Sequence, residues 1–296
     1  MTKFFSALLL VLMLAFSSYA DEPESNDKRA ILIVSFGTSM PEARKAIDNL
    51  FDAAKNNFPD YEIKLAFTSN IIRRKIAREE NLNIQNPVQA LAELNDSGFK
   101  KVYVIPTHII PGEEYDEIKN VVEAFRTLSK YGFKEIKLAR PFLNNYKDCE
   151  AMAEILISRF KDFLEKNSDT AVILMGHGTP EHPANALYAL LQLALNNKMP
   201  NRIFLGTVES APSIDDILLG LKNNLDIKKL VLSPFMIVAG DHANNDLAGE
   251  DDEESWLNIL KKNGYANITT YLHGMGEDEK IADMFIKKLN ALINED

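Results

Sequence analysis

Cysteine is almost missing from this sequence: of 296 residues, Cys149 alone carries a thiol. One thiol allows no internal disulfide and no cysteine-built zinc or iron–sulfur site. Positive charge is also short, with 33 Lys and Arg against 43 Asp and Glu, a net charge of −10 and a pI near 5.1. That shortage disfavours nucleic acid as a partner, because phosphates reward basic patches, and it is compatible with a cation as ligand or substrate. There is no G-x-x-x-x-G-K-[ST] loop, and Gly176-x-Gly178 and Gly274-x-Gly276 each lack the third glycine of a dinucleotide fingerprint, so no nucleotide cofactor is expected. Neither a G-x-S-x-G elbow nor an H-E-x-x-H pair occurs. After residue 20 no apolar run is long enough to span a bilayer.

The first twenty residues stand apart. Lys3 precedes the thirteen-residue apolar run 4–16, interrupted only by Ser6, and Ser18 and Ala20 supply small residues at −3 and −1 before Asp21. A basic start, a core of that length and small residues at the cut predict a secretory signal peptide, 1–20, too short for a membrane anchor. The product is then expected to be soluble and exported, which in a bacterium means the periplasm.

After a polar, flexible lead over 21–28, short β-rich runs alternate with amphipathic stretches. Strands are expected at 30–36, 62–67, 101–106, 135–139, 171–175, 202–208, 229–234 and 269–273, and helices at 41–56, 87–94 and 113–128. Such alternation reads as βαβ units around parallel sheets, and continuous apolar strands such as ILIVSF and AVILM suit burial on both faces. The fold class is α/β. With 46% hydrophobic residues, two units of about 140 residues can each bury a core.

The two halves read as copies. Gly37-Thr38 and Gly178-Thr179 lie 141 residues apart, and the same offset places Thr68-Ser69 on Glu209-Ser210. Both third strands end in a Pro-to-Gly segment of equal length, Pro106 to Gly112 and Pro234 to Gly240, each followed by polar residues. Three such coincidences in order indicate duplication. The boundaries expected are 29–145 for the N-terminal lobe, 146–275 for the C-terminal lobe with the metal site, and 276–296 for a C-terminal helix.

Ligands of open parallel sheets bind outside the carboxyl ends of the strands. There the second half places His177, Glu209 and His242, where the first half has Phe36, Thr68 and Glu114. Two imidazoles and a carboxylate on one rim suit Fe, Co, Ni or Zn and leave coordination positions open. The competing reading of a single strand-end histidine is that it satisfies loop backbone groups. Among the other histidines, His182 reads as a capping residue at a helix start. His273 ends the last strand without a partner, and His108, inside an apolar stretch, reads as a core or pocket-wall residue. The acidic run 250–254 (EDDEE) reads as the opening of a helix containing Trp256, where acids complement the dipole, with a cation-attracting rim as the second reading.

The segments VSFGTS (34–39), PTHIIPGEEY (106–115), MGHGT (175–179), EHPAN (181–185), GTVES (206–210) and PFMIVAGDHANNDLAGEDDEESW (234–256) resemble the anaerobic cobalt chelatases of the CbiK type, class II chelatases, over roughly 29–294. The resemblance implies two similar α/β lobes with a cleft for a tetrapyrrole, and insertion of a divalent metal into sirohydrochlorin, an early step towards cobalamin. It implies His177, Glu209 and His242 as the metal-binding set and Glu114 as a further active-site carboxylate, with His177, Glu114 and His242 taken as catalytic. Co²⁺ is the implied metal, with Fe²⁺ also compatible. Arg73, Arg74 and Lys75 are candidates for holding substrate carboxylates, or else they solvate a helix surface. The exported start is the one departure from the family's pattern. A non-catalytic periplasmic tetrapyrrole- or metal-binding protein linked to uptake is the alternative reading, and the sequence leaves a homo-oligomer open.

Overall fold

A computed structural model describes residues 27–295; the expected signal peptide and most of the lead lie outside them. β1 (Arg29–Ser35), β2 (Glu62–Phe67), β3 (Lys101–Pro106) and β4 (Glu135–Leu138) form one parallel sheet, ordered β2-β1-β3-β4. β5 (Thr170–Gly176), β6 (Ile203–Thr207), β7 (Lys229–Pro234) and β8 (Asn267–Thr270) form a second, ordered β6-β5-β7-β8. The order is the same in both and every pairing is parallel, as a duplication requires.

The strands sort their side chains two ways. Ile31 and Ile33 of β1, Tyr103 and Ile105 of β3, and Val172 and Leu174 of β5 enter one continuous core shared by both lobes. Ala30, Leu32, Val34, Val102 and Val104 point into the first lobe's own core, and Ala171, Ile173 and Met175 into that of the second. Period-2 alternation between two apolar environments is why these strands read as unbroken hydrophobic runs.

Four strands end earlier than expected, β1 and β6 by one residue each, and β4 and β8 for a shared reason. β4 stops at Leu138 rather than 139, and β8 runs over Asn267–Thr270 rather than to 273. Ala139 and Tyr271 still donate to Val104 and Leu232. The next bond in each ladder would come from Pro106 or Pro234, which have no N–H.

Helices cover the sheets. α1 (Pro41–Asn57) has proline in its first turn and buries Ala43, Ala46, Ile47, Leu50 and Ala54, a helical stripe facing the core. α2 (Asn70–Glu80), α3 (Pro87–Asp96) and α4 (Glu113–Arg126) complete the first lobe; α5 (Tyr146–Arg159), α6 (Lys161–Lys166), α7 (Ala186–Lys198), α8 (Ile214–Lys222) and α9 (Trp256–Lys262) belong to the second. The last helix, α10 (Glu279–Asn294), returns to the first lobe and packs against α1 and β3 through Ile281, Phe285, Leu289 and Leu292. A 3₁₀ turn, Met275–Glu277, precedes it. Among the described residues no helix is long and apolar enough to cross a membrane.

Gly276 sits so close to α1 that a Cβ there would lie 2.4 Å from the Ala46 carbonyl. Gly276→Ala is therefore expected to lower the unfolding free energy by about 2–3 kcal/mol through overpacking against backbone. Gly98→Ala, at φ +80° with open space around it, should lose only the ~1–2 kcal/mol of a left-handed residue. Denaturant titration of the two variants measures the difference; equal losses would mean that the chain's return to the first lobe yields without strain.

Candidate metal centre and active-site cleft

The carboxyl ends of the two sheets face one another across a cleft of about 530 Å³. From the first lobe it is lined by Phe36, Gly37, Thr38, Ile72, His108 and Glu114, and from the second by His177, Glu209, Met236, Val238 and His242. All four residues expected to act thus share one cavity.

His177 follows β5 and is turned into the cleft by Gly178, whose φ of +84° favours glycine. A Cβ on Gly178 would also crowd Thr207 at 3.1 Å. The His177 Nδ1 lies 2.9 Å from the Gly178 carbonyl oxygen and 3.7 Å from a Glu209 carboxylate oxygen. Glu209 is placed by its own N–H, which donates to the His177 carbonyl at 3.0 Å. The His242 ring stands 4.8 Å from that of His177, centroid to centroid, and nearly perpendicular to it at 84°. Its Nδ1 is 2.5 Å from Asp246, one helical turn further on. With Nδ1–H donated to that carboxylate, the lone pair of His242 is left on Nε2, the arrangement that outer partners impose on metal-binding histidines.

Glu209 flanks one side of the imidazole pair rather than closing a triangle with it, and among the described residues no three His, Cys, Asp or Glu groups gather in a ligating cluster. The side chains of His177, Glu209 and His242 are each about two-fifths exposed. The donor set is two neutral-capable imidazoles and a carboxylate, chemistry suited to a borderline divalent ion that must also be let go.

Glu114 is the second residue of α4, and its carboxylate accepts a 2.9 Å hydrogen bond from the Thr68 hydroxyl. Burial lifts its pKa above the ordinary carboxylate value, while the Thr68 bond and nearby His177 pull partly the other way. Glu113 is exposed, its backbone N–H donating to Thr179 of the opposite lobe. The two neighbouring glutamates are therefore not equivalent: both line the cleft, but Glu114 is half-buried there with its carboxylate on Thr68, whereas Glu113 is exposed at its edge.

Strand register corrects one equivalence between the halves. Ser35 pairs with Phe67 and Gly176 with Thr207, so the residue matching Glu209 is Ser69, not Thr68. The hydrogen bonds agree, Ser69 donating to Phe36 as Glu209 donates to His177. Phe36 keeps its place opposite His177, and Glu114 its place opposite His242.

The other histidines divide. His182 caps the 3₁₀ turn Pro183–Asn185 by accepting from Ala184, and its Nε2 reaches Asp116 of the first lobe at 3.2 Å. His273 does have partners, Glu277 at 2.7 Å and the Tyr271 ring, and it lies beyond β8. His108 lines the cleft, with both ring nitrogens buried and unpartnered; burial pushes its pKa down to about 4, so it is neutral at physiological pH.

Two further expectations change. The run 250–254 precedes α9 instead of forming its first turn, because Ser255 caps the helix by accepting from Asn258. The Arg73 guanidinium is committed to Ile84, Asn70 and Gln89, leaving Arg74 and Lys75 to solvent or ligand. Sequence reasoning missed Asp246 and Thr68 as partners of His242 and Glu114. The four-residue spacing from His242 to Asp246 was the available signal for the first.

Paired parallel α/β lobes around a cleft of imidazoles and carboxylates are the architecture of class II metal chelatases. Two solved structures share the fold: SirB from Bacillus subtilis with Fe³⁺ (TM-score 0.62, 14% identity, covering 90% of this chain and 96% of that one), and CbiX, described as the terminal enzyme for biosynthesis of siroheme in denitrifying bacteria (TM-score 0.53, 16% identity, 89% and 99%). The chain itself belongs to the cobalt chelatase (CbiK) family, whose model matches residues 29–294. It is 33% identical to the sirohydrochlorin cobaltochelatase of Salmonella typhimurium, covering 90% of this chain and 97% of that one. It is 31% identical to sirohydrochlorin cobaltochelatase CbiKC of Nitratidesulfovibrio vulgaris, at 90% and 91%. The chain is thus a metal chelatase.

The raised pKa of Glu114 has a measurable sign. Its contribution to stability is present below the ordinary carboxylate value and lost as pH rises through the raised one, where the folded state must hold a half-buried charge. Glu114→Gln removes that charge, so chemical denaturation should find the variant at least as stable as wild type at pH 7. The difference should shrink towards zero below about pH 4.3, the ordinary Glu value. A variant markedly less stable at pH 7 would show that the Thr68 bond outweighs the burial.

Proposed function

We propose that the protein inserts Co²⁺ into sirohydrochlorin or a closely related tetrapyrrole, with Fe²⁺ as a second metal it can use. The observation that carries this reading is the facing pair His177 and His242, set in one cleft with Glu114 from the opposite lobe. The names of the two curated relatives supply the substrate class.

The reaction exchanges one divalent ion for two pyrrole protons. The incoming ion is a substrate and needs partners that strip part of its water and then release it; imidazoles do this where thiolates would retain soft metals. His177, His242 and the flanking Glu209 offer that set. Removing the pyrrole protons needs an acceptor at hand, and Glu114, whose pKa burial moves towards neutrality, is suited to take one. Once the ion has moved to the macrocycle, a freed imidazole can take the other. A ring seated in the cleft between the two lobes would hinder water from competing for the ion.

Mature protein mixed with metal-free sirohydrochlorin and each divalent metal in turn, followed by absorbance against a protein-free control, tests the reading. Accelerated insertion is expected, fastest with Co²⁺. His177→Ala and His242→Ala should each lose most of it while staying folded. Glu114→Gln should lower turnover by roughly 10²–10⁴, as for loss of a general base, whereas Glu113→Gln should change little. Insertion no faster than the control with every metal would leave a binding protein instead.

We also propose that the enzyme works in the periplasm. The signal-peptide pattern of residues 1–20 supports this, as does the start of the family match at residue 29. Cell fractionation should recover a soluble chain beginning near Asp21; a full-length form in the membrane pellet would contradict it.

A further inference from the structure

We propose that Phe36 is the stacking platform for the macrocycle: it holds one face of the ring from the first lobe while the metal approaches from the histidines of the second. The inference rests on the chelatase reading above and assigns a residue to the half of the cleft that carries neither His177 nor His242.

Three observations carry it. Phe36 holds the backbone position of His177 in the duplicated lobe: its carbonyl accepts from Ser69 as that of His177 accepts from Glu209, and each is followed by a left-handed glycine, Gly37 at φ +96° and Gly178 at +84°. The turn that throws His177 into the cleft from one side therefore throws Phe36 into it from the other. Gly37 can be nothing larger, because a Cβ there would strike the Phe67 ring at 2.5 Å, so the direction of Phe36 is imposed by the fold.

Phe36 is also 46% exposed, and among the described residues it is the only phenylalanine left in the open. The other described phenylalanines are buried or half-buried, as an apolar ring of that size favours. An exposed aromatic that lines a cavity offers apolar surface to a ligand there. Finally, apolar side chains share the cleft with it: Ile72, Ile109 and Ile110 line the first-lobe wall, among polar Thr38, Ser39 and Thr107. A flat, conjugated ring is the ligand that such a wall fits, through offset or edge contact with an aromatic side chain. The peripheral carboxylates of the ring stay with the polar and solvated parts of the cleft.

A platform of this kind strengthens binding equally in the ground and transition states, so its loss should raise KM and leave kcat in place. Metal-free sirohydrochlorin is titrated into the metal-free mature protein and followed by fluorescence or absorbance. Phe36→Ala is expected to weaken binding and raise KM on the order of tenfold, from lost apolar contact and ring stacking together. Phe36→Tyr, which keeps the ring, should restore both. Co²⁺ affinity, measured without tetrapyrrole, should be unchanged in either variant, which a general disturbance of the cleft would not leave so. If Phe36→Ala is found misfolded by circular dichroism, Phe36→Leu, apolar but without a ring, carries the same expectation. Unchanged sirohydrochlorin affinity and KM in the ring-less variant would overturn the platform and leave the chelatase reading standing. Failure of the wild-type protein to bind sirohydrochlorin would overturn both.

Discussion

Everything at the site depends on how closely the two lobes approach one another. A Cβ on Gly112 of the first lobe would come within 3.0 Å of Thr179 of the second, so glycine keeps that contact close, while one on Gly240 of the second would sit in ordinary contact, 3.7 Å from the Thr38 hydroxyl of the first. Each lobe thus offers the glycine after its third strand to the threonine after the other lobe's first strand, a reciprocal contact consistent with pseudo-two-fold symmetry. The seam is reinforced by the Glu113 N–H on Thr179 and by His182 on Asp116. It brings the carboxyl ends of both sheets face to face, and only there can a histidine from β5 and a glutamate from α4 line one cavity.

Across that seam the two copies have diverged in chemistry while keeping their backbones. The second lobe holds His177 and His242, turned by Gly178 and oriented by Asp246; the first holds Phe36, the buried His108 and the half-buried carboxylate of Glu114. On the proposed reading, the second copy handles the cation and the first supports the ring. Separation of those roles onto opposing walls would mean that no side chain must both bind the ion and support the macrocycle. It also leaves the donors exposed enough to exchange an ion, which a fully enclosed site would resist.

Much of the fold was legible because strand and helix periods are local properties. β2, β3 and β7 begin and end where the sequence pattern places them, and α1 starts at Pro41 as expected. The misses are of another kind. β4 and β8 end early because a proline on the neighbouring strand withholds its N–H, a fact about pairing and not about either strand alone. Thr68 was matched to Glu209 by constant offset, and the sheet register shifts that match to Ser69. The acids at 250–254 were read into a helix that a serine cap starts later, and His273 was read as unpaired because Glu277 meets it only once the chain turns.

The sequence by itself determined the α/β alternation, the duplication, and the residue types at strand ends that point to metal chemistry, because each is written in spacing along the chain. Tertiary structure alone decided that Glu114 is half-buried in the cleft against Thr68 while Glu113 stays exposed at its edge, that Glu209 flanks His177 without completing a ligand triangle, and that Phe36 stands across from His177. It also decided that the last helix completes the first lobe. These depend on which groups meet after distant segments pack, and on how far burial and a single hydrogen bond shift a carboxylate. Neither distance nor dielectric environment exists until the two sheets have closed on one another.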